Sequence, residues 1–326
     1  MKYDIKILKE VFEIFLKEKM NANQSQPPQN QETTPSTSTN TDEETIKSKI
    51  VGDYESFVSY FKSVGSDQKV ISFLKGGGTK DKFTQAKAYL NVKDLHPTQS
   101  EIAVAKSLDY PLKDLTTFKK YLFNPKNIEI KGPILTFNGQ YIIDGHHRWS
   151  QLYCINSSAT ISCIDLKSDE ATPHDTLKAA QMTILALTNK ITTVDAEGSA
   201  NLLKISENDL KTYIETNISE GVKKYGLSRD QQYSKNSRGV KIQAGPSAGG
   251  GMLEIRKGQA DNNLIKIMDW IWKNVSMMQQ GSIPITNASA RDFMPQTDKA
   301  GIHNGANTLT GATPPDTQLG GFHTDK

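Results

Sequence analysis

Apolar residues recur at helical spacing in the first part of the chain. At residues 1–20 they repeat at heptad spacing, which predicts an amphipathic helix. Two heptads are too few to establish a coiled coil, so contacts with the body of the protein, a second copy, a partner or a membrane surface all stay open. A further apolar stripe over 46–64 and a helical pattern over 80–90 predict a helical lead-in at residues 46–90.

The central residues, 91–190, alternate between strand and helix patterns. The sequence NVKDL predicts a short strand, and a helix follows that Thr98 would cap, with Glu101 as its capping-box partner. Asn138-Gly139 favours a two-residue type I′ turn, so the apolar residues on either side predict a hairpin. These local signals suit an α+β domain.

The pattern continues after the hairpin. A helix is predicted from His146 to about Asn156, then a strand at 159–166 and a helix at 176–187 behind a Thr-Pro-His-Asp cap. Heptad-spaced apolar residues predict a helical C-terminal region at 191–280, with its last helix packed on the body of the protein.

Two polar stretches contrast with these patterns. Residues 21–45 carry almost no large apolar side chain, which predicts a disordered linker. Residues 281–326 are rich in Gly, Thr, Asn, Asp and Pro, and predict an extended or disordered tail, or a strand-poor segment that orders on a partner.

Composition narrows the function classes only slightly. The 326 residues carry a formal net charge of +3, which is no independent argument for nucleic acid or membrane. The two cysteines, Cys154 and Cys163, imply no disulfide framework and are expected in the core, so a cytoplasmic location is predicted. No stretch is apolar enough to predict a membrane span.

The sequence DGHHR (144–148) lies where the hairpin gives way to a helix. The start of a helix attracts anions through its N–H groups and dipole, and Gly145 allows a close backbone approach. Arg148 offers a planar fork to phosphate oxygens, and His146 and His147 add donors. Asp144 could orient a histidine or hold Mg²⁺ against a bound polyphosphate. These residues predict a site that handles phosphate.

Two other interpretations of DGHHR stay open. Asp-Gly followed by polar residues also suits an ordinary turn and a capped helix, with the histidines in solvent. A Zn²⁺ site is the weaker alternative, because adjacent histidines point to different sides of a helix and no other Cys or His spacing completes the ligand set.

The strand–IIDGHHRW–helix element, preceded by L-x-P-T-Q-x-E-I, resembles the ParB/sulfiredoxin superfamily, in particular ParB-like domain proteins of bacteria and their phages. The resemblance covers roughly residues 90–190. It implies an α+β, ParB/sulfiredoxin-like small mixed sheet with helices, to which the helical N- and C-terminal regions, the linker and the tail are additions. Members of this superfamily bind nucleotide phosphates in the corresponding loop.

The resemblance also implies roles for individual residues. Gly145, His147 and Arg148 match the phosphate-binding positions of the family. From its place in the same turn, His146 is a further phosphate-binding candidate, and Asp144 and His146 are candidates for a catalytic role. Sulfiredoxin-like members carry a reactive cysteine where His146 stands, so thiol repair of that type is not expected.

The PTQSEI stretch supplies the remaining candidates. Members similar to serine kinases use an upstream acid as base, and Glu101 is the nearest match, although it fits the capping box equally well. Thr98 and Gln99 are candidates for substrate binding. The implied cofactors are a nucleoside triphosphate or diphosphate and Mg²⁺, with Asp144 as the metal ligand.

Three functions remain in view. The first is nucleotide hydrolysis or phosphoryl transfer. The second is a ParB-like nuclease or DNA-binding protein, supported by the basic bias of residues 223–241, although no convincing helix-turn-helix follows the central region. The third is a non-enzymatic phage accessory or virion protein, for which the terminal helices are candidate homo-oligomer contacts. A phage protein would act in the host cytoplasm.

Overall fold

A computed structural model describes residues 45–46, 48–64, 83–188, 190–191, 198–223, 240–243, 252–255 and 260–297. The predicted N-terminal helix, nearly all of the predicted linker, most of the basic stretch 223–241 and the tail after residue 297 lie outside these residues.

Helices make up much of the described chain. They are α1 (Tyr54–Val64), α2 (Val104–Lys113), α3 (Leu115–Phe123), α4 (His146–Ile155), α5 (Pro173–Thr188), α6 (Glu207–Asn217), α7 (Glu220–Lys223) and α8 (Ala260–Gly281). Residues 48–51 are also helical, and short 3₁₀ turns cover Val92–Asp94 and Arg291–Phe293. None of these helices is both long and apolar enough to cross a membrane.

The strands form a five-stranded mixed sheet and a separate two-stranded one. The strands are β1 (Thr84–Asn91), β2 (His96–Pro97), β3 (Ile134–Phe137), β4 (Tyr141–Asp144), β5 (Thr160–Lys167), β6 (Val240–Gln243) and β7 (Met252–Ile255). The larger sheet has the order β1-β5-β3-β4-β2, and β6 pairs with β7. Strand β3 pairs antiparallel with β4 and parallel with β5, so the larger sheet is mixed. Together with the helices it forms an α+β fold, as predicted.

Both faces of the larger sheet are covered. Ile142 and Ile143 are neighbours on β4 whose side chains point to opposite faces, and each joins a different buried cluster. The cluster around Ile142 includes residues of α2, α3, α4, α6 and α8. The cluster around Ile143 includes residues of α1 and α5. The end of β4 and the start of α4 therefore lie between two helical layers.

Local signals predicted the central elements well. The hairpin is confirmed, with positive φ of 50° at Asn138 and 67° at Gly139 and a hydrogen bond of 3.1 Å from Gln140 N to Phe137 O. The predicted helix at His146 and the strand that follows it are also confirmed, as α4 and β5. Thr172 and Asp175 form a reciprocal capping box at the start of α5, with side-chain to backbone distances of 3.2 and 3.0 Å.

Two predictions for residues 80–95 are wrong. Residues 80–90 were expected to be helical, but Thr84–Asn91 is β1, because the whole segment finds an antiparallel partner in β5. The strand predicted for NVKDL is instead a 3₁₀ turn at Val92–Asp94, since β1 ends at the first residue of that sequence.

The helix predicted to begin at Thr98 is also wrong at its start. Helix α2 begins at Val104, with Ala103 as its N-cap, and the hydroxyl of Thr98 donates to Ile142 O at 2.6 Å. The capping-box role for Glu101 is therefore excluded.

Farther along the chain, helix α6 ends at Asn217, because Ser219 N turns away to donate to Leu112 O at 3.0 Å. In the predicted tail, residues 282–297 are strand-poor, as expected, but they pack on the protein itself.

Candidate functional site

Gly145 sets the geometry of the DGHHR element. It is the N-cap of α4 and has φ 97°, in the left-handed region that favours glycine. A Cβ at this position would lie 2.5 Å from Cγ2 of Ile134 on β3. Glycine is therefore needed for both conformation and space, and it brings the first turn of α4 against the sheet.

Asp144 is the buried carboxylate of the site. Its Oδ1 accepts the amide of Gly145 at 2.7 Å. Its Oδ2 accepts the amide of Thr297 at 3.3 Å and also the Thr297 hydroxyl. The Nη2 of Arg148 lies 3.8 Å from the same Oδ2. A carboxylate of the protein thus already lies at the anion-attracting end of α4.

His146 is a buried, neutral hydrogen-bond acceptor. Its Nε2 accepts the backbone amide of Thr98 at 3.1 Å, which places the ring proton on Nδ1. Burial, assisted by the Arg148 guanidinium, lowers the pKa of His146 to about 3. In this arrangement His146 holds the segment after β2 against α4, and its Nε2 is not available to donate to a phosphate.

His147 performs the same task one residue further along the helix. Its Nε2 accepts the amide of Ala103 at 3.1 Å. Burial lowers the pKa of His147 well below its usual value, and the charges of Arg291 and Lys106 act in the same direction. The adjacent histidines therefore hold two points of the segment 98–103.

Arg148 lies inside the protein, with a relative exposure of 9%. Its Nη1 donates to the backbone oxygens of Gly132 at 3.3 Å and Pro133 at 3.2 Å. The guanidinium thus links the turn before β3 to the first turn of α4, and its Nη2 points towards Asp144.

The three candidates of the PTQSEI stretch lie at different depths. Thr98 and Gln99 are buried, with exposures of 0% and 3%, whereas Glu101 is exposed. Thr98 contacts His146 directly, and the Gln99 side-chain amide donates to Glu101 O. The structure therefore brings Thr98, Asp144 and the DGHHR residues together, and it leaves the Glu101 carboxylate at the surface.

Sequence reasoning missed the residues that cover this site. Thr297 contacts Asp144, and Arg291 is buried close enough to His147 to influence its pKa. Both belong to the polar segment expected to be a tail, and its composition contains no signal for burial. The isolated Phe293 is a large apolar residue in this segment and was the one indication of packing. In the structure its carbonyl accepts the Tyr54 hydroxyl at 2.6 Å.

The described residues do not form a resident metal site. They contain no group of three or more His, Cys, Asp and Glu side chains placed to hold an ion. Asp144 is the only carboxylate shown at the start of α4 among them, and both of its oxygens accept hydrogen bonds from the protein. The residues do not fit a bound Mg²⁺ without further ligands.

The predicted core cysteines agree with the structure. Cys154 and Cys163 are both buried and free. Burial raises the pKa of Cys163 to about 11, so its thiol stays protonated near neutral pH.

A cavity of about 580 Å³ lies near the site but does not include it. Its lining includes His174 and Lys178 of α5, Asp53 before α1, and Asn287 and Ser289 after α8, and none of residues 144–148. Ser289, which lines the cavity, also donates its N–H to Thr98 O at 3.1 Å. Ser289 therefore lies between the cavity and Thr98, which contacts His146.

Comparisons with protein-family models, with curated proteins and with solved structures find no match for this chain.

Proposed function

We propose that the protein binds the phosphate groups of a nucleotide at the start of α4. The observation that carries the proposal is the left-handed Gly145 turn, packed so tightly on Ile134 that a Cβ does not fit, which leads directly into a helix with a buried arginine in its first turn. Glycine has no side chain to occupy the first-turn N–H groups, which have no acceptor within the helix. The ParB/sulfiredoxin resemblance of IIDGHHRW supports the same function.

Charge favours an anion at this position. The positive end of the α4 dipole and the Arg148 guanidinium act together in a region of low exposure, where electrostatic attraction is stronger than in water. Both histidines are held neutral, so they add no charge of their own. A phosphate would compete for this place with the carboxylate of Asp144.

The proposed reaction is hydrolysis of the nucleotide or transfer of its terminal phosphoryl group. Arg148 and the backbone near Gly145 would bind the phosphates, and Thr98 and Gln99 would line the substrate side. Asp144 and the exposed Glu101 are the candidate bases. Any Mg²⁺ is proposed to arrive bound to the nucleotide, because Asp144 alone supplies too few ligands.

Titration calorimetry with nucleoside triphosphates and diphosphates, with and without Mg²⁺, tests the proposal. We expect binding by the wild type and at least a tenfold loss in Arg148→Ala. Lys120→Ala removes the same charge from an exposed position on α3 and should bind like the wild type. Wild-type protein that binds no nucleotide under any of these conditions would exclude this function.

A second function is favoured by a specific observation. The Nε2 atoms of His146 and His147 and the Nη1 of Arg148 all bond to the protein's own backbone. In a non-enzymatic accessory or virion protein, the same residues would serve only to hold the segment 98–103 and the turn before β3. A folded protein that binds no nucleotide and is destabilised by Arg148→Ala would support that function.

A further inference from the structure

The segment after α8, residues 282–297, forms what we call the C-terminal strap. It makes backbone hydrogen bonds to residues 97–100 that begin with Ile285 N to Pro97 O at 3.1 Å. Farther along, Phe293 O accepts the Tyr54 hydroxyl at 2.6 Å and the Gln181 side-chain amide at 2.9 Å. The strap is therefore bonded to the end of β2 and the residues after it, to α1 and to α5.

The strap reaches the site at its far end. Thr297 has an exposure of 6%, and its amide and hydroxyl both donate to Oδ2 of Asp144. Earlier in the strap, Ser289 N donates to Thr98 O, and Thr98 N donates in turn to His146. The candidate base Asp144 and the candidate substrate-binding residue Thr98 are thus already bonded to the strap.

The strap also separates the site from the nearby cavity. Asn287, Ala288 and Ser289 form one wall of the 580 Å³ space, which is within the usual size range of small-molecule sites. Displacement of this wall would expose the bonds of Thr98 to the cavity.

We infer that the C-terminal strap is an autoinhibitory closure of the phosphate site, and that Thr297 is its latch on Asp144. This inference rests on the proposed nucleotide binding. In the closed form Asp144 is held by Thr297 at the end of α4 that an incoming phosphate must approach. Release of Thr297 leaves Oδ2 of Asp144 free to accept a hydroxyl of the ligand.

The closure makes a quantitative prediction about affinity. If the ligand binds only the open form, its apparent dissociation constant equals the intrinsic dissociation constant divided by the fraction of open protein. Removal of a hydrogen bond to a charged group shifts such an equilibrium by about tenfold. A variant with a weakened latch should therefore bind nucleotide about tenfold more tightly than the wild type.

The experiment uses the full chain and three variants. Thr297→Val removes the latch hydroxyl and keeps the size of the side chain and the backbone amide. Tyr54→Phe removes a strap contact that involves no predicted ligand-binding residue. Thr216→Val, at an exposed position on α6 whose hydroxyl bonds to its own helix, is the control. Hydrogen exchange of peptides from 285–297 reports strap opening, and calorimetry with triphosphates and inorganic tripolyphosphate reports binding.

We expect faster strap exchange and tighter binding in Thr297→Val and Tyr54→Phe, and neither change in Thr216→Val. Faster exchange with unchanged affinity would overturn the closure while nucleotide binding stands. Unchanged exchange in Thr297→Val would overturn the latch. Faster exchange with no binding in any protein would refute the proposed function and, with it, the autoinhibitory role.

Discussion

Gly145 and Ile134 are packed so closely that the position of Cβ in any other residue at 145 would be 2.5 Å from an Ile134 methyl carbon. The contact joins the first turn of α4 to β3, and it occurs at a residue whose φ is already unfavourable for other side chains. Conformation and packing therefore select the same residue at the centre of the DGHHR element.

Gly145→Ala is expected to destabilise the protein by about 2 kcal/mol or more, because the left-handed conformation and the clash with β3 both oppose the methyl group. Urea unfolding would measure the loss. Gly198→Ala is a matched control, since a Cβ there meets no atom within 4 Å. Equal stability of the two variants would contradict the assigned role of Gly145.

The buried histidines predict a loss of stability in acid. The folded pKa of His146 is about 3, below its ordinary value of 6.5, and the pKa of His147 is also lowered. The unfolded chain therefore binds protons that the folded chain does not. The free energy of unfolding that the neutral histidines contribute is complete above pH 6.5 and declines as the pH falls towards 3.

Unfolding free energies measured between pH 7 and pH 3 test this expectation. Each histidine should contribute a slope of up to about 1.4 kcal/mol per pH unit. His146→Gln keeps an acceptor for Thr98 N and removes the titrating ring, so its slope should be smaller. A slope identical to that of the wild type would show that His146 is not buried as a neutral ring.

Asp165 is expected to stabilise the hairpin that leads to the site. Its Oδ1 accepts the Thr136 hydroxyl at 2.9 Å and the Gly139 amide at 2.8 Å, and its exposure is 2%. Asp165→Ala should lower the unfolding free energy by about 2 kcal/mol, since the buried Thr136 hydroxyl and the half-buried Gly139 amide lose their acceptor. Asp169→Ala, at an exposed position, is the control, and a similar effect of both would argue against this role.

Trp270 is expected to stabilise the end of α4. Its indole N–H donates to Ile155 O at 2.7 Å, and Asn274 on the same helix donates to Cys154 O at 3.0 Å. Trp270→Phe should lower the free energy of unfolding by about 1–2 kcal/mol, because the buried carbonyl of Ile155 loses its donor. Trp272→Phe, on the same helix but only half-buried, should cost less, and thermal unfolding of both variants would decide.

The elements predicted correctly are those whose signals lie within a few residues. Asn138-Gly139 is sufficient for the hairpin turn, and Thr172 with Asp175 for the start of α5, because turns and caps are made by neighbouring residues. The alanines and the lysine of β1 suit a helix, whereas its pairing with β5 is decided by residues 69 to 83 positions away, so the sequence predicted a helix there.

The residues of the candidate site were located from the sequence, but their partners were not. His146 and His147 bond to backbone amides more than forty positions earlier, and Asp144 bonds to Thr297, 153 positions later. Histidine beside arginine in a polar turn gives the same local pattern whether the rings face a ligand or a backbone amide. Only the tertiary arrangement distinguishes the two.

The bonds that complete the far end of α4 also bear on how the chain is made. Trp270 reaches Ile155 across 115 positions, so these carbonyls gain their donors only after nearly all of the described chain has left the ribosome. Until then the nascent central sheet would carry a helix with open carbonyls and an uncovered apolar face. We expect productive folding to begin only late in translation, which makes chains that terminate before α8 poor sources of native protein.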